Sequence, residues 1–389
     1  MPGLLPQVDP DGLLEYSVVY TDRALNHMSA KFQGVMRDIS ALLKDAYQAR
    51  SAIVVPGSGT FGMEAVARQF ATGKKTLVIR NGWFSYRWTQ ILEMGAIASS
   101  STVLKARRLT GSSESTHQAA FAPAPLAEVV ATIQTERPDV VFAPHVETAA
   151  GLILPDGYLK AVADATHAVG GLFVLDCIAS GAIWVDMAAL GVDVLVSAPQ
   201  KGWTGSPGCA FVMLGEAARQ RIATTTSTSF ACDLKKWLQI MQAYEAGGHA
   251  YHTTLPTDAL TRTRDVMRET QARGWAALRA QQQALGDAVR ALLERKGFKS
   301  VAAPGFQAPG VVVSYTDDAG LSSSKTFLGL GLQTAAGVPL QCDEPADFQT
   351  FRIGLFGLDK LANIERTVAH LERALGQVTA TQPVAISLA

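Results

Sequence analysis

No apolar run in this chain reaches the roughly 18 residues that a membrane-crossing helix requires. The opening stretch Met1-Pro2-Gly3-Leu4-Leu5-Pro6 has no basic segment leading into an apolar one, which argues against a signal peptide. Cysteine is sparse: Cys177, Cys209, Cys232 and Cys342 are scattered, with no CxxC pair and no histidine nearby at zinc-ligand spacing. Reduced thiols, a cytoplasmic location and no metal are the expectation. Nor is there an excess of one charge. Lys plus Arg number 34 and Asp plus Glu number 34, so no global field draws in nucleic acid or an anionic membrane. Neither is expected as a partner.

What the chain does have is apolar residues, 48% of the total against 17% charged, and a length of 389 residues that exceeds what one core usually supports. Two packed units are therefore expected. Between about residues 50 and 215, short apolar runs alternate with helical patterns. The runs are Ala52–Val55, Thr76–Ile79, Val140–Ala143, Leu172–Leu175, Val194–Val196 and Ala210–Met213. They are continuously apolar rather than alternating, as strands covered on both faces are. Met63, Val66 and Phe70 step by three and four, and so do Leu126, Val130 and Ile133. The pattern predicts an α/β architecture, a mostly parallel sheet flanked by helices. From 258 to 296 a long helical period follows, with Leu285, Val289 and Leu292 on one face and Gly297 placed to end it. A strand is expected at Val311–Val313. A last helix carries Ile364, Val368, Leu371 and Leu375 and is expected to end at Gly376, before a loose tail.

Ligands of such sheets bind at the carboxyl ends of strands, and four of those ends carry polar residues. Pro56-Gly57-Ser58-Gly59-Thr60-Phe61-Gly62 joins a strand to a helix, where glycines and free N–H groups suit a phosphate. An ordinary tight turn would look the same. Gly57, Gly59 and Gly62 also match a dinucleotide fingerprint, but the next strand ends in Arg80-Asn81-Gly82 without the carboxylate that fingerprint wants; an NADP site could use Arg80. Asp176 ends a buried run and needs a cationic or donor partner, whether a ring nitrogen or backbone N–H groups. Lys201, in Ser197-Ala198-Pro199-Gln200-Lys201-Gly202-Trp203, is either a solvated loop lysine or an amine desolvated enough for Schiff-base chemistry. His145-Val146-Glu147-Thr148 offers several polar groups. A phosphate cradle, a buried Asp and an amine in that chain order are what pyridoxal phosphate (PLP) chemistry requires.

In this order the motifs resemble the class V aminotransferases, fold type I PLP enzymes, and most closely their alanine/serine–glyoxylate branch, over roughly residues 25 to 375. Gly57-Ser58-Gly59-Thr60 is similar to the phosphate loop. Asn81-Gly82-Trp83-Phe84-Ser85-Tyr86-Arg87 resembles the segment that stacks an aromatic ring, here Phe84, on the cofactor. His145-Val146-Glu147-Thr148-Ala149-Ala150-Gly151 resembles an H-x-E-[ST]-x-x-G motif whose hydroxyl, on Thr148, lies near the phenolic oxygen. The resemblance implies that Asp176 holds the pyridine nitrogen, with Ile178 beneath the ring, and that Gln200 and Lys201 are the phosphate contact and Schiff-base lysine. Tyr251 and Thr254, in Tyr251-His252-Thr253-Thr254-Leu255-Pro256, would reach the phosphate of a neighbouring subunit, making a homodimer. Arg352, in Phe351-Arg352-Ile353-Gly354, would grip the substrate carboxylate. Where the family carries P-G-P, this chain has Tyr16-Ser17-Val18-Val19-Tyr20-Thr21-Asp22, and His27 is a further candidate near the substrate. The implied domains are an N-terminal segment (1–24), a large PLP-binding domain (25–270), a smaller C-terminal α/β domain (271–376) and a tail (377–389).

The resemblance further implies a two-stage amino transfer from a small amino acid of alanine or serine type to glyoxylate or pyruvate. Lys201 moves the α-proton, Asp176 keeps the ring nitrogen protonated and Arg352 orients the donor. The rivals are a 2-aminoethylphosphonate transaminase, a PLP lyase resembling the cysteine desulfurases, and an NADP oxidoreductase. A desulfurase needs a reactive thiol, for which only Cys342 is placed; Asp343 and Glu344 beside it would raise its pKa.

Overall fold

The computed structural model describes residue 9, residues 12–109 and residues 118–381, the side chains of 379–381 excepted. The expectations for Met1–Pro6 and for 382–389 fall outside the described residues.

Seven strands form the main sheet: β1 (Ser51–Pro56), β2 (Lys75–Arg80), β3 (Ser100–Lys105), β4 (Val140–Pro144), β5 (Leu172–Asp176), β6 (Val194–Ser197) and β7 (Cys209–Leu214). Their order is β1-β7-β6-β5-β4-β2-β3. From β6 through β3 every pairing is parallel, whereas β7 runs antiparallel to both β6 and β1. The double reversal turns β1 back into line with the parallel set. The carboxyl ends of β1, β2, β4, β5 and β6 therefore meet along one edge, where a ligand of an open α/β sheet sits. Strands β4 to β7 are buried at every position, as their unbroken apolar runs predict. The edge strand β3 was not legible: its sequence, Ser-Ser-Thr-Val-Leu-Lys, starts exposed and has only two apolar residues.

Helices cover both faces: α1 (Ala30–Tyr47), α2 (Gly59–Phe70), α3 (Trp83–Met94), α4 (Leu126–Glu136) and α5 (Asp156–Ala168). Met63, Val66 and Phe70 of α2 are buried in the shared core, with Ile133 of α4. The long period after residue 257 is two helices, Thr257–Arg273 and Trp275–Arg295, because Gly274 takes φ 86° between them. Gly297, at φ 86°, closes the second helix, and the N–H of Phe298 bonds back to the Leu293 carbonyl at 3.0 Å. A small antiparallel sheet follows, with β8 (Val311–Tyr315) and β9 (Ala335–Ala336) on either side of β10 (Thr350–Gly354). The last helix runs Ile364–Thr381, so Gly376 does not end it and residues 377–381, expected in the tail, are helical. Leu375 and Val378 are both buried, which carries the apolar stripe past the glycine.

Candidate active site

Each polar element of the site is fixed by a backbone feature. Ser58 is the N-cap of α2, yet its hydroxyl makes no capping bond, leaving it and the first N–H groups of the helix turned to the site. A Cβ on Gly59 would lie 2.6 Å from Cδ1 of Ile178, so a larger residue there would displace that side chain in the cavity wall. Lys201 sits in a tight turn closed by the Thr204 N–H to Lys201 carbonyl bond at 3.0 Å and the Gly205 N–H to Pro199 carbonyl bond at 2.8 Å. A Cβ on Gly202 would fall 2.1 Å from the Gly181 carbonyl oxygen, so the Lys201 turn presses directly on the segment after β5. Trp203 is fully buried against Trp184, ring centroids 4.6 Å apart, and Trp275 packs edge-on to both. That aromatic cluster anchors the lysine's turn to the long helices.

A cavity of about 200 Å³ opens at this sheet edge. Nine residues singled out from the sequence line it: Ser58, Gly59, Thr60, Phe84, Thr148, Asp176, Ile178, Gln200 and Lys201. The Asp176 carboxylate accepts a hydrogen bond from the Ile178 N–H at 2.9 Å, the one hydrogen bond to that carboxylate among the described residues. Burial pushes its pKa up to about 7, and the charge of Glu147 pushes the same way; Arg87 and Lys201 pull against them. Burial holds the Lys201 amine below its usual range, and the guanidiniums of Arg352 and Arg87 lower it further against Asp176. Its Nζ lies 5.4 Å from the centroid of the Phe356 ring. A buried acid short of donors thus shares one cavity with a half-buried amine, beside a helix N-terminus with a free hydroxyl. The set suits a phosphorylated ring that carries a basic nitrogen.

Other expectations meet different outcomes. Arg352, on β10, does not line the cavity; its Nε donates to the Ala336 carbonyl at 2.8 Å, and its Cζ lies 5.5 Å from the Phe84 ring centroid. Tyr251 and Thr254 are outside it too, bonded to one another at 3.1 Å with Tyr251 half exposed. His27 is buried among Tyr20, Tyr251 and His249 at 5.4 to 5.7 Å and is absent from the cavity wall. Of the polar groups in His145–Thr148, only Thr148 faces the cavity. His145 lies 2.7 Å from the Ser180 hydroxyl, and burial lowers its pKa to about 4, so it stays neutral.

Glu147 is consumed as an anchor for α3. It accepts from the N–H groups of Phe84 at 3.3 Å, Ser85 at 2.9 Å and Ala149 at 3.0 Å, and from the Ser85 hydroxyl at 2.7 Å. This holds the Phe84 ring over the cavity. Sequence reasoning gave no role to Glu147, Arg87 or Phe356. Arg87 and Glu147 lie inside motifs already singled out, and their charge was the available signal. Phe356 had none.

Arg80, the residue that an NADP site would need, is buried and engaged with the Thr89 hydroxyl at 2.9 Å, the Gln341 carbonyl at 3.2 Å and the Tyr86 ring. Cys342 is buried outside the cavity, and its thiol is pushed up to about 12, first by burial and then by Glu147 and Glu344. Asp343 adds nothing there because it points outward to Lys105 at 2.6 Å. Among the described residues, no group of three His, Cys, Asp or Glu side chains is placed to hold a metal, and no helix is long and apolar enough to cross a membrane.

Known proteins match this chain across most of its length. It is 28% identical over 365 residues to a 2-aminoethylphosphonate–pyruvate transaminase of Burkholderia ambifaria, covering 91% of this chain and 88% of that one. It is 24% identical over 360 residues to a Synechococcus protein named soluble hydrogenase, small subunit, with the same coverage of 91% and 88%. The solved ureidoglycine–glyoxylate aminotransferase of Bacillus subtilis shares the fold, with a TM-score of 0.72 at 22% identity over 91% of this chain and 87% of that one. A model of the family described as Aminotransferase class-V matches residues 13–329, and the chain belongs to the class V aminotransferase family.

Proposed function

We propose that the cavity takes PLP and that the chain moves an amino group from a small amino acid to a 2-oxo acid such as glyoxylate or pyruvate. The observation that carries this reading is that Asp176, at the end of β5, and Lys201, in the turn after the adjacent β6, line one cavity with the open N-terminus of α2. The donors present fit the cofactor. The carboxylate of Asp176, with a single protein donor, suits a protonated ring nitrogen. Phe84 and Ile178 supply apolar surface for the ring, and Ser58, Gly59, Thr60 and Gln200 suit the phosphate.

When bound, PLP supplies an aldehyde that amines condense with and a ring that accepts electrons from the α-carbon of the donor. Burial and the nearby guanidiniums lower the basicity of Lys201, which favours the uncharged amine that takes the donor's α-proton on Nζ and returns it to the next carbon. Asp176 holds the proton on the ring nitrogen by charge, which is also what its burial requires. Arg352 binds the donor's carboxylate as a planar fork, which lysine cannot reproduce. Tyr251 and Thr254, turned away from their own cavity, serve that of a second subunit in a homodimer.

A 2-aminoethylphosphonate donor is the second reading, favoured by the 28% identity to the Burkholderia transaminase. Titrating the protein with PLP and treating it with borohydride tests the primary reading. The expected result is a yellow chromophore lost on reduction, with the cofactor mass fixed on the peptide holding Lys201 and absent from Lys201→Ala. No chromophore in the wild-type protein refutes it. A panel of alanine, serine and 2-aminoethylphosphonate against glyoxylate and pyruvate then separates the donors.

A further inference from the structure

We infer that Arg87 is the cation that neutralises the cofactor's phosphate, which rests on the reading that the cavity takes PLP. Arg87 sits one turn into α3, and its side chain crosses to α2, where Nη1 donates to the Thr60 hydroxyl at 3.0 Å. Thr60 is the second residue of α2, so the guanidinium lies at the helix end whose N–H groups and partial positive charge already suit an anion. One face of the guanidinium is covered by the Phe84 ring, 5.3 Å from Cζ to centroid.

Arg87 makes no salt bridge with any carboxylate among the described residues, although it is partly buried in a cavity wall. Of the charged groups lining that cavity, the other two are Lys201 and Asp176, and the Asp176 carboxylate forms no salt bridge with either cation, its one hydrogen bond among the described residues coming from the Ile178 N–H. The α2 end therefore holds a cation with hydroxyl and amide donors and no ion-paired carboxylate among the described residues. A doubly charged phosphate monoester completes it, and a guanidinium matches phosphate oxygens two at a time. The second guanidinium near Phe84, that of Arg352, is tied to the small sheet through Ala336. The two arginines thus divide between the two anions, Arg87 with the cofactor's phosphate and Arg352 with the substrate's acid group.

The test is to titrate cofactor-free wild type, Arg87→Gln and Arg87→Lys with PLP and with pyridoxal, which lacks the phosphate, reading the chromophore and protein fluorescence. Loss of one charge-assisted contact predicts PLP binding weaker by roughly 10- to 100-fold in Arg87→Gln, with pyridoxal binding unchanged. Arg87→Lys should fall between, and inorganic phosphate should compete with PLP more strongly in wild type than in Arg87→Gln. Thermal melting checks that each variant folds; Thr60→Val, which removes the anchoring hydroxyl, should weaken PLP in the same direction if Arg87→Gln does not fold. Equal weakening of PLP and pyridoxal would overturn the assignment. Unchanged PLP binding with a raised KM for the amino donor would also overturn it, by giving Arg87 to the substrate. If wild type fails to bind PLP at all, the proposed function falls instead.

Discussion

Replacing Asp176 with Asn tests whether the site is built around a missing cation. The carboxylate is buried, accepts one hydrogen bond from the protein, and has its pKa raised from 3.8 to about 7. A raised carboxyl pKa means that the folded protein holds the proton more tightly than the unfolded chain. The penalty is absent below the unfolded value, grows as pH rises, and is complete above about 7. Its full size is on the order of 4 kcal/mol, and less than half of that remains near pH 5. Asn keeps the acceptor for the Ile178 N–H but cannot ionise. In protein stripped of cofactor, Asp176→Asn should therefore be the more stable form at pH 8, with a melting point higher by on the order of 5 °C. The gap should shrink toward pH 5. With PLP bound the ordering should reverse, because a protonated ring nitrogen stabilises the carboxylate and does much less for an amide. Urea and thermal unfolding of both forms at the two pH values, with and without cofactor, measure this. Equal stability at pH 8, or a gap that ignores pH, would show that the protein itself already compensates Asp176.

Two other substitutions probe the supports of the site. Arg352→Lys should lower kcat/KM for a carboxylate-bearing donor by roughly 10- to 100-fold while leaving PLP affinity intact, as loss of a charged fork predicts; steady-state kinetics beside a PLP titration check both halves. Gly202→Ala places a methyl 2.1 Å from the Gly181 carbonyl oxygen, and relieving that overlap should destabilise the fold by about 1–3 kcal/mol and shift Lys201. Unchanged melting and unchanged cofactor absorbance would show the contact to be slack.

The chain's own order carries most of the sheet and most of the cavity. Strands β4 to β7 were legible because burial on both faces demands an unbroken apolar run, and Ser58, Asp176 and Lys201 because each lies within five residues of the end of such a run. Strand β3, with one side to solvent, left no such trace, and the last helix outran Gly376 because packing of Leu375 and Val378 outweighs a glycine's local cost. Tertiary structure alone decided which side chains share a space. The reversal at β7 brings five strand ends to one edge, and from there Arg87 reaches Thr60, Glu147 clamps Phe84 and Phe356 approaches Lys201. It also decided which groups are spent elsewhere: Arg80 on Thr89 and Gln341, His145 on Ser180. The physical reason is range. Apolar period and motif spacing report what a residue's near neighbours impose, whereas protonation and partnership depend on groups that only the folded sheet order brings within a few ångströms.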